Sequence, residues 1–305
     1  AATAASRLPP TCEGRLALVR YAARHGSSVA PREHLLLPPQ DRAAALASLA
    51  AARMPDELRK AGKCTACMLQ TPYCICRRLR VLRESADPDA ASAPFAAAPI
   101  RFVVWMHVRE RARASNTGKL LEHLIPGTDV LLQDVPEHHT RFRAIVAASG
   151  GRAFVLYPSS KAISSAKLLE PAAASAEETT SWLAVLVDGT WKQAKRMHKD
   201  LEGLPHVALA PRAHSEFHWR RQSQEGRIST VEAAALLLEE LSDSGAFGGT
   251  SHPTMLRKAL AELNGALERQ CHYDSFVAGP PPPEPLARKR AAAANRLPKR
   301  SPGFH

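Results

Sequence analysis

Two kinds of apolar pattern alternate along the middle of the chain. The first is short and unbroken: residues 101–108 (RFVVWMHV), 130–132, 153–157 (AFVLY), 182–187 and 206–210. Compact apolar runs without strict polar alternation predict strands covered on both faces, as in a parallel sheet. The second kind spaces its apolar residues at helical intervals. It covers residues 41–60, a helix starting at 119–124, and residues 141–148, 191–197, 230–242 and 254–270. Pro55 is expected to interrupt or end the first of these helices, because proline removes an amide donor and crowds the preceding turn. The alternation predicts an α/β fold, a mostly parallel sheet flanked by helices. No internal repeat is visible.

The run ending VLVDGTWK is the most informative single stretch. Its apolar residues stop at Asp188, Gly189 and Thr190, and a basic helix-like segment WKQAKRM follows at once. Asp, Gly and Thr are ordinary turn and cap residues, so a plain helix start is one reading. The other is a ligand site, because open α/β sheets bind ligands beyond the carboxyl ends of their strands. Three further stretches stand at similar handovers: HVRERARASNTGK from His107 to Lys119, YPSS from Tyr157, and GRISTVEA from Gly226. Asn116 or Thr117 can cap a helix, and so can Ser159. Ser229 and Glu232 have capping-box spacing. Taken singly each reads as a cap. Taken together, Asn116, Tyr157, Asp188 and Ser229 would converge on one edge of a parallel sheet.

Composition narrows the partner. The chain has 305 residues, a formal net charge of +12 and an apolar fraction of 45%. That size allows one large domain or two small ones, and the charge favours a polyanion such as nucleic acid. No apolar run approaches the ~18 residues of a membrane-spanning helix, so no membrane partner is expected. The final stretch 278–305 carries six basic residues against Glu284 alone, so much of the charge sits in a segment expected to be a disordered tail. Residues 1–60 form a basic Ala/Arg-rich extension with one helix. Its Arg-rich, acid-poor start also fits an organelle-targeting peptide, ranked below an ordinary extension. Residues 85–99 are rich in Ala, Pro and Asp and read as a linker between a small segment, 61–84, and the main α/β domain, 100–277.

Four of the six cysteines fall in CTACMLQTPYCIC: Cys64, Cys67, Cys74 and Cys76. Two close pairs joined by a short loop match a structural four-cysteine zinc knuckle, with no open position for a substrate water. A redox dithiol, an iron–sulfur cluster and two disulfides are the alternatives, and zinc is preferred because no strand precedes Cys64. Clustered cysteines without an even spread suggest a reducing, intracellular compartment, nucleus or cytoplasm before an organelle. Arg77, Arg78 and Arg80 follow the knuckle, where phosphate is within reach. No Gly-x-Gly-x-x-Gly, Walker loop or Gly-x-Ser-x-Gly elbow follows any strand, which suits a small donor such as S-adenosylmethionine better than NAD or ATP. Between residues 211 and 226, Arg220 and Arg221 interleave with Phe217 and Trp219. That pattern suits RNA, with an anchored surface loop as the alternative.

These residues together resemble the DTW-domain family, named for an Asp-x-Thr-Trp element, here Asp188 to Trp191. The likeness extends to the cysteine cluster, to His107 with Asn116–Thr117–Gly118, to Tyr157–Pro158–Ser159, and to Ser229–Thr230 with Glu232–Ala233. The chain departs from the family pattern after His107, where Glu110 is retained but a proline is not. The resemblance implies a tRNA-uridine aminocarboxypropyltransferase related to the SPOUT class, whose fold can carry a knotted C-terminal part and which often forms homodimers. It implies transfer of the 3-amino-3-carboxypropyl group from S-adenosylmethionine to uridine N3.

The resemblance also implies roles. Asp188 is expected to accept the N3 proton, with its pKa raised by burial, or to hold the donor's ammonium group. Trp191 is expected to stack on adenine or a flipped uridine, or to cover the turn as a core residue. Thr190 and Gly189 would meet the donor carboxylate at a helix N-terminus. Asn116, Thr117, Tyr157, Pro158, Ser159, Ser229, Thr230 and Glu232 would shape the donor pocket. Lys192, Lys195, Arg196, Arg220 and Arg221 would contact RNA backbone. A SPOUT-type methyltransferase and a non-catalytic zinc-bearing RNA-binding protein are the rival readings.

Overall fold

A computed structural model describes residues 38–86, 100–168, 182–210, 214–217, 219, 228–243 and 251–278. The chain divides into two compact units, Ala1–Leu267 and Glu268–His305. The first contains every strand among the described residues; the second begins within the last helix. Helix α1 is Pro39–Lys60, and after the cysteine segment α2 is Cys76–Ala86. Then come β1 (Ile100–Met106), α3 (Val108–Arg111), α4 (Lys119–Leu124) and β2 (Asp129–Leu132). They are followed by α5 (Pro136–Ala148), β3 (Ala153–Leu156), β4 (Trp182–Asp188), α6 (Trp191–Met197) and β5 (His206–Val207). The last two are α7 (Thr230–Asp243) and α8 (His252–Ala278).

The five strands form one parallel sheet in the order β2-β1-β4-β3-β5. This is the parallel α/β sheet that the apolar runs predict. β4 inserts between β1 and β3, in register from Ile100↔Trp182 to Met106↔Asp188. β1 leads to β2 on one side, while β4 leads to β5 on the other. The carboxyl ends of β1 and β4 therefore flank a topological switch point, where an open sheet leaves a crevice.

Burial explains the unbroken runs. Even-numbered β1 residues Phe102, Val104 and Met106 join Phe154, Ala184 and Leu186 beneath α4, α7 and the start of α8. Odd-numbered Val103 and Trp105 join Val155, Leu183 and Val185 beneath α5 and the end of α6. Both faces of each central strand are covered, so neither face needs polar residues. Each fully buried Val, Leu, Phe or Met among them stabilises the fold by roughly 1.5–3 kcal/mol.

Several expected boundaries move. The first helix continues through Pro55 to Lys60 as one element; the proline removes a single donor, and the buried residues Ala45, Leu49 and Leu58 on either side hold the helix together. The first strand ends at Met106, not at residue 108: His107 caps α3, its Nδ1 accepting from the amide of Arg109. The helix expected at 141 begins at Pro136, a favourable first-turn position for proline. The strand expected over 206–210 is only His206–Val207, at the sheet edge. Ser85 and Ala86, assigned to the linker, complete α2. Residues 87–99, the tail beyond 278 and residues 1–37 lie outside the described residues. Among the described residues no helix is long and apolar enough to cross a membrane.

Phe154, on the interior strand β3, is 1% exposed and packs against Trp182 on β4. Phe154→Ala should lower stability by about 3–5 kcal/mol in urea unfolding of the whole chain. Val81→Ala, on the exposed side of α2, should change it by less than about 0.5 kcal/mol.

Candidate functional site

At the carboxyl edge of the sheet lies a cleft of about 640 Å³, within the range of roughly 300–1,000 Å³ usual for small-ligand sites. Its floor is the end of β4, Leu186 to Gly189, and its sides include Tyr157 and Pro158 after β3 and Ala208 and Leu209 after β5. Thr190 and Trp191 at the start of α6 line it as well, together with Ser229 and Thr230 at the start of α7. Arg113, Ser115 and Thr117, from the segment between α3 and α4, complete the rim.

Asp188 is buried, 3% exposed, at this edge. The Asn116 side-chain amide donates to its Oδ2 at 2.8 Å, and the backbone amide of His107 donates to its carbonyl. Gly118 explains how the carboxylate fits: a Cβ there would lie 2.1 Å from Oδ2. Asn116 is wholly buried, and its Oδ1 accepts the backbone N–H of Lys119 at 3.0 Å. Its amide is thereby oriented from both ends. The cap of α6 is Thr190, not Asp188. Its hydroxyl accepts from the Gln193 amide, and the Gln193 side chain accepts from the Thr190 amide, a complete capping box. Freed from capping, the Asp188 carboxylate turns inward.

Gln193 also donates to His107 Nδ1 at 3.2 Å, tying α6 to the end of β1. That nitrogen already accepts from the Arg109 amide, so the ring is neutral with its other nitrogen protonated. Burial holds the His107 pKa below its ordinary value, in agreement. The tie between Gln193 and His107 is not visible in the sequence, because the two residues are 86 positions apart and meet only where the ends of β1 and β4 lie side by side.

Three expected pocket residues do not line the cleft: Asn116 is wholly buried against Asp188, and two others are turned elsewhere. Ser159 Oγ bonds His206 Nδ1 at 2.7 Å and does not line the cleft. The Glu232 carboxylate is taken up by the amides of Ser229 and Glu216 and the hydroxyl of Ser215. It clamps the cleft wall instead of lining it. The capping box expected at Ser229 is half formed. Glu232 accepts from the Ser229 amide, but the buried Ser229 Oγ has no partner among the described residues, and Ser229 borders the cleft. Phe217 and Trp219 line the same wall. Lys192, Lys195 and Arg196 are exposed on α6. Arg220 and Arg221 lie outside the described residues.

The four knuckle thiols lie within 4.8 Å of one another. Cys64 and Cys76 sulfurs stand 3.7 Å apart, and those of Cys67 and Cys74 stand 3.8 Å apart. A disulfide needs about 2.05 Å, whereas a tetrahedron with metal–sulfur bonds of about 2.3 Å has edges of roughly 3.8 Å. The donor set therefore fits a tetrahedral thiophilic ion. The Cys67 pKa is pushed down to about 4, chiefly by hydrogen bonding with the Cys76 thiol, and that of Cys76 is raised by the same contact.

Beside the knuckle, the Lys119 side chain is wholly buried. Its Nζ donates to the carbonyls of Cys67, Arg113 and Ala114. Burial pulls its pKa down to about 7, against an ordinary value of 10.5. The three carbonyls offset part of that cost.

Residues 61–273 match the family model for the DTW domain. The chain belongs to the DTW-domain family. A tRNA-uridine aminocarboxypropyltransferase 2 of Drosophila melanogaster is 28% identical over 222 residues, covering 70% of this chain and 81% of the relative. No solved structure matches. The DTW-domain match spans both the cysteine knuckle and the strand-end cleft.

Gly118→Ala should force the Asp188 carboxylate out of its seat. A loss of about 1–3 kcal/mol is expected in urea unfolding. Ala substitution at Gly62, where a Cβ would meet no atom within 4 Å but φ is +66°, should cost about 1 kcal/mol through backbone strain alone.

Proposed function

We propose that this DTW-domain protein modifies tRNA by moving the 3-amino-3-carboxypropyl group of S-adenosylmethionine onto N3 of a uridine. The observation that carries the reading is the buried Asp188 carboxylate, oriented by Asn116, at the floor of a cleft sized for a small donor. The name of the Drosophila relative supports it.

In this reaction the uridine N3–H bond breaks and its proton passes to a base. The nitrogen pair attacks the sulfonium-bound carbon that leads to the amino acid. The carbon–sulfur pair returns to sulfur, and neutral methylthioadenosine leaves. Positioning supplies most of the rate, since attacking nitrogen, carbon and sulfur must lie in line. Asp188 is the base in this reading, and its fixed seat suits a proton acceptor that must meet N3 in one geometry. Trp191 offers a ring face at the cleft rim for a base. Ser229 and Thr230 at the start of α7 suit the donor's polar groups. Lys192, Lys195 and Arg196 give α6 an exposed basic stripe for the RNA backbone. A SPOUT-like relationship belongs to the same reading.

Purified protein incubated with unmodified tRNA and S-adenosylmethionine should yield a uridine heavier by one aminocarboxypropyl group, with methylthioadenosine released. Asp188→Ala should lower the rate by about 10²-fold or more while leaving tRNA affinity within about threefold. Adenosylhomocysteine as the by-product would turn the reading to methyl transfer. Intact tRNA binding without any product would turn it to a binding module.

The same reading gives the knuckle a structural zinc ion on Cys64, Cys67, Cys74 and Cys76, which would hold the two cysteine pairs together. Elemental analysis should find about one zinc per chain, and Cys64→Ser should lose it and lower the melting temperature. A metal-free wild-type protein with unchanged melting after chelation would rule this out.

A further inference from the structure

The Lys119 ammonium has no place in the chemistry proposed above, yet it is among the most completely enclosed side chains of the protein. A charged group so placed is expensive, and an apolar residue of similar volume often stabilises a core more. Its partners explain its presence. Among the described residues no carboxylate forms an ion pair with it; three backbone carbonyls surround it. Three acceptors match the three N–H bonds of an ammonium.

Those carbonyls belong to two separate segments. Cys67 lies inside the knuckle, in the second position of its first cysteine pair. Arg113 and Ala114 lead directly into Ser115 and Thr117, which line the cleft. The main chain of the same lysine continues the connection. Lys119 N–H donates to Asn116 Oδ1, and Asn116 Nδ2 donates to Asp188 Oδ2. An unbroken series of hydrogen bonds thus runs from the Cys67 carbonyl, through Lys119 and Asn116, to the Asp188 carboxylate. One turn further along α4, a His123 ring nitrogen lies 3.3 Å from the carbonyl of Ala66. Residues four apart on one helix therefore meet two successive carbonyls of the knuckle.

We propose that Lys119 is a positioning residue that makes the cysteine knuckle part of the active site. It ties the orientation of Asn116 and Asp188 to the folded state of the knuckle. Filling the knuckle fixes the Cys67 carbonyl; emptying it releases that carbonyl, and the segment 113–119 loses the support that aims Asn116. The catalytic consequence rests on the transferase reading, but the mechanical coupling does not.

Site-resolved amide hydrogen exchange on the full chain tests the coupling directly, with the interior strand β3 as internal reference. In wild type, stripping the metal with a chelator should speed exchange of the Lys119 amide about tenfold or more, while β3 amides stay protected. Lys119→Met with its metal retained should show the same acceleration, and chelation should add little to it. On the transferase reading, Lys119→Met should lower kcat about tenfold or more with both KM values within about threefold. The proposal is overturned if the Lys119 amide keeps its protection in metal-stripped wild type. It is also overturned if metal-loaded Lys119→Met exchanges like wild type at this amide. Should Lys119→Met fail to fold, the wild-type comparison decides alone. His123→Ala removes the neighbouring tie and should leave kcat within about threefold; an equal loss there would make the coupling a general docking effect and overturn the assignment to Lys119. Absence of turnover in wild type would refute the transferase reading and leave the exchange result standing.

Discussion

The seat of the Asp188 carboxylate is the constraint on which the rest of the site depends. A carboxylate 3% exposed at the end of an apolar strand needs donors, since an ionised group buried without them costs several kcal/mol. Asn116 supplies one, and the backbone of Gly118 comes close enough that any side chain there would collide. These demands fix the segment between β1 and α4 against the end of β4. The switch in strand order opens the crevice there, and the Thr190–Gln193 box holds α6 clear of the carboxylate. One buried charge thus organises two strand ends and two helix starts.

A second buried charge supports the first. Lys119 stands on the opposite side of Asn116 and collects carbonyls from the knuckle and from the cleft rim. The knuckle and the α/β sheet share one hydrophobic cluster, in which Cys67, Leu69 and Ile75 meet Leu120, Leu121 and Leu124. The cysteine segment is therefore built into the core of the first compact unit. A match to the DTW domain that begins at residue 61 is consistent with that packing.

Glu232 shows how the same residue type serves two purposes. At capping-box spacing it reads as a helix start, and the resemblance to the DTW-domain family makes it an expected pocket residue. Its carboxylate does more than cap: it gathers the amides of Ser229 and Glu216 and the hydroxyl of Ser215. With both oxygens engaged it shapes the wall from behind. Ser229, whose own hydroxyl has no partner among the described residues, is the member of the pair that borders the cleft.

Local patterns along the chain were enough to mark the elements and the places where chemistry gathers. Unbroken apolar runs marked β1, β3 and β4 because strands covered on both faces need no polar residues. Paired cysteines a few residues apart marked the knuckle, since their spacing brings four thiols together through local geometry alone. The handovers at Asp188, Asn116 and Ser229 were legible for the same local reason. Which of these groups meet was settled by the packing of distant segments. That Asp188 meets Asn116, that Ser159 faces His206, and that Lys119 joins the knuckle to the site follow from strand order and register. These are contacts between residues tens of positions apart, and no local pattern encodes them. Pro55 carried the same lesson in the other direction: its local tendency to end a helix yielded to the apolar contacts on both sides of it.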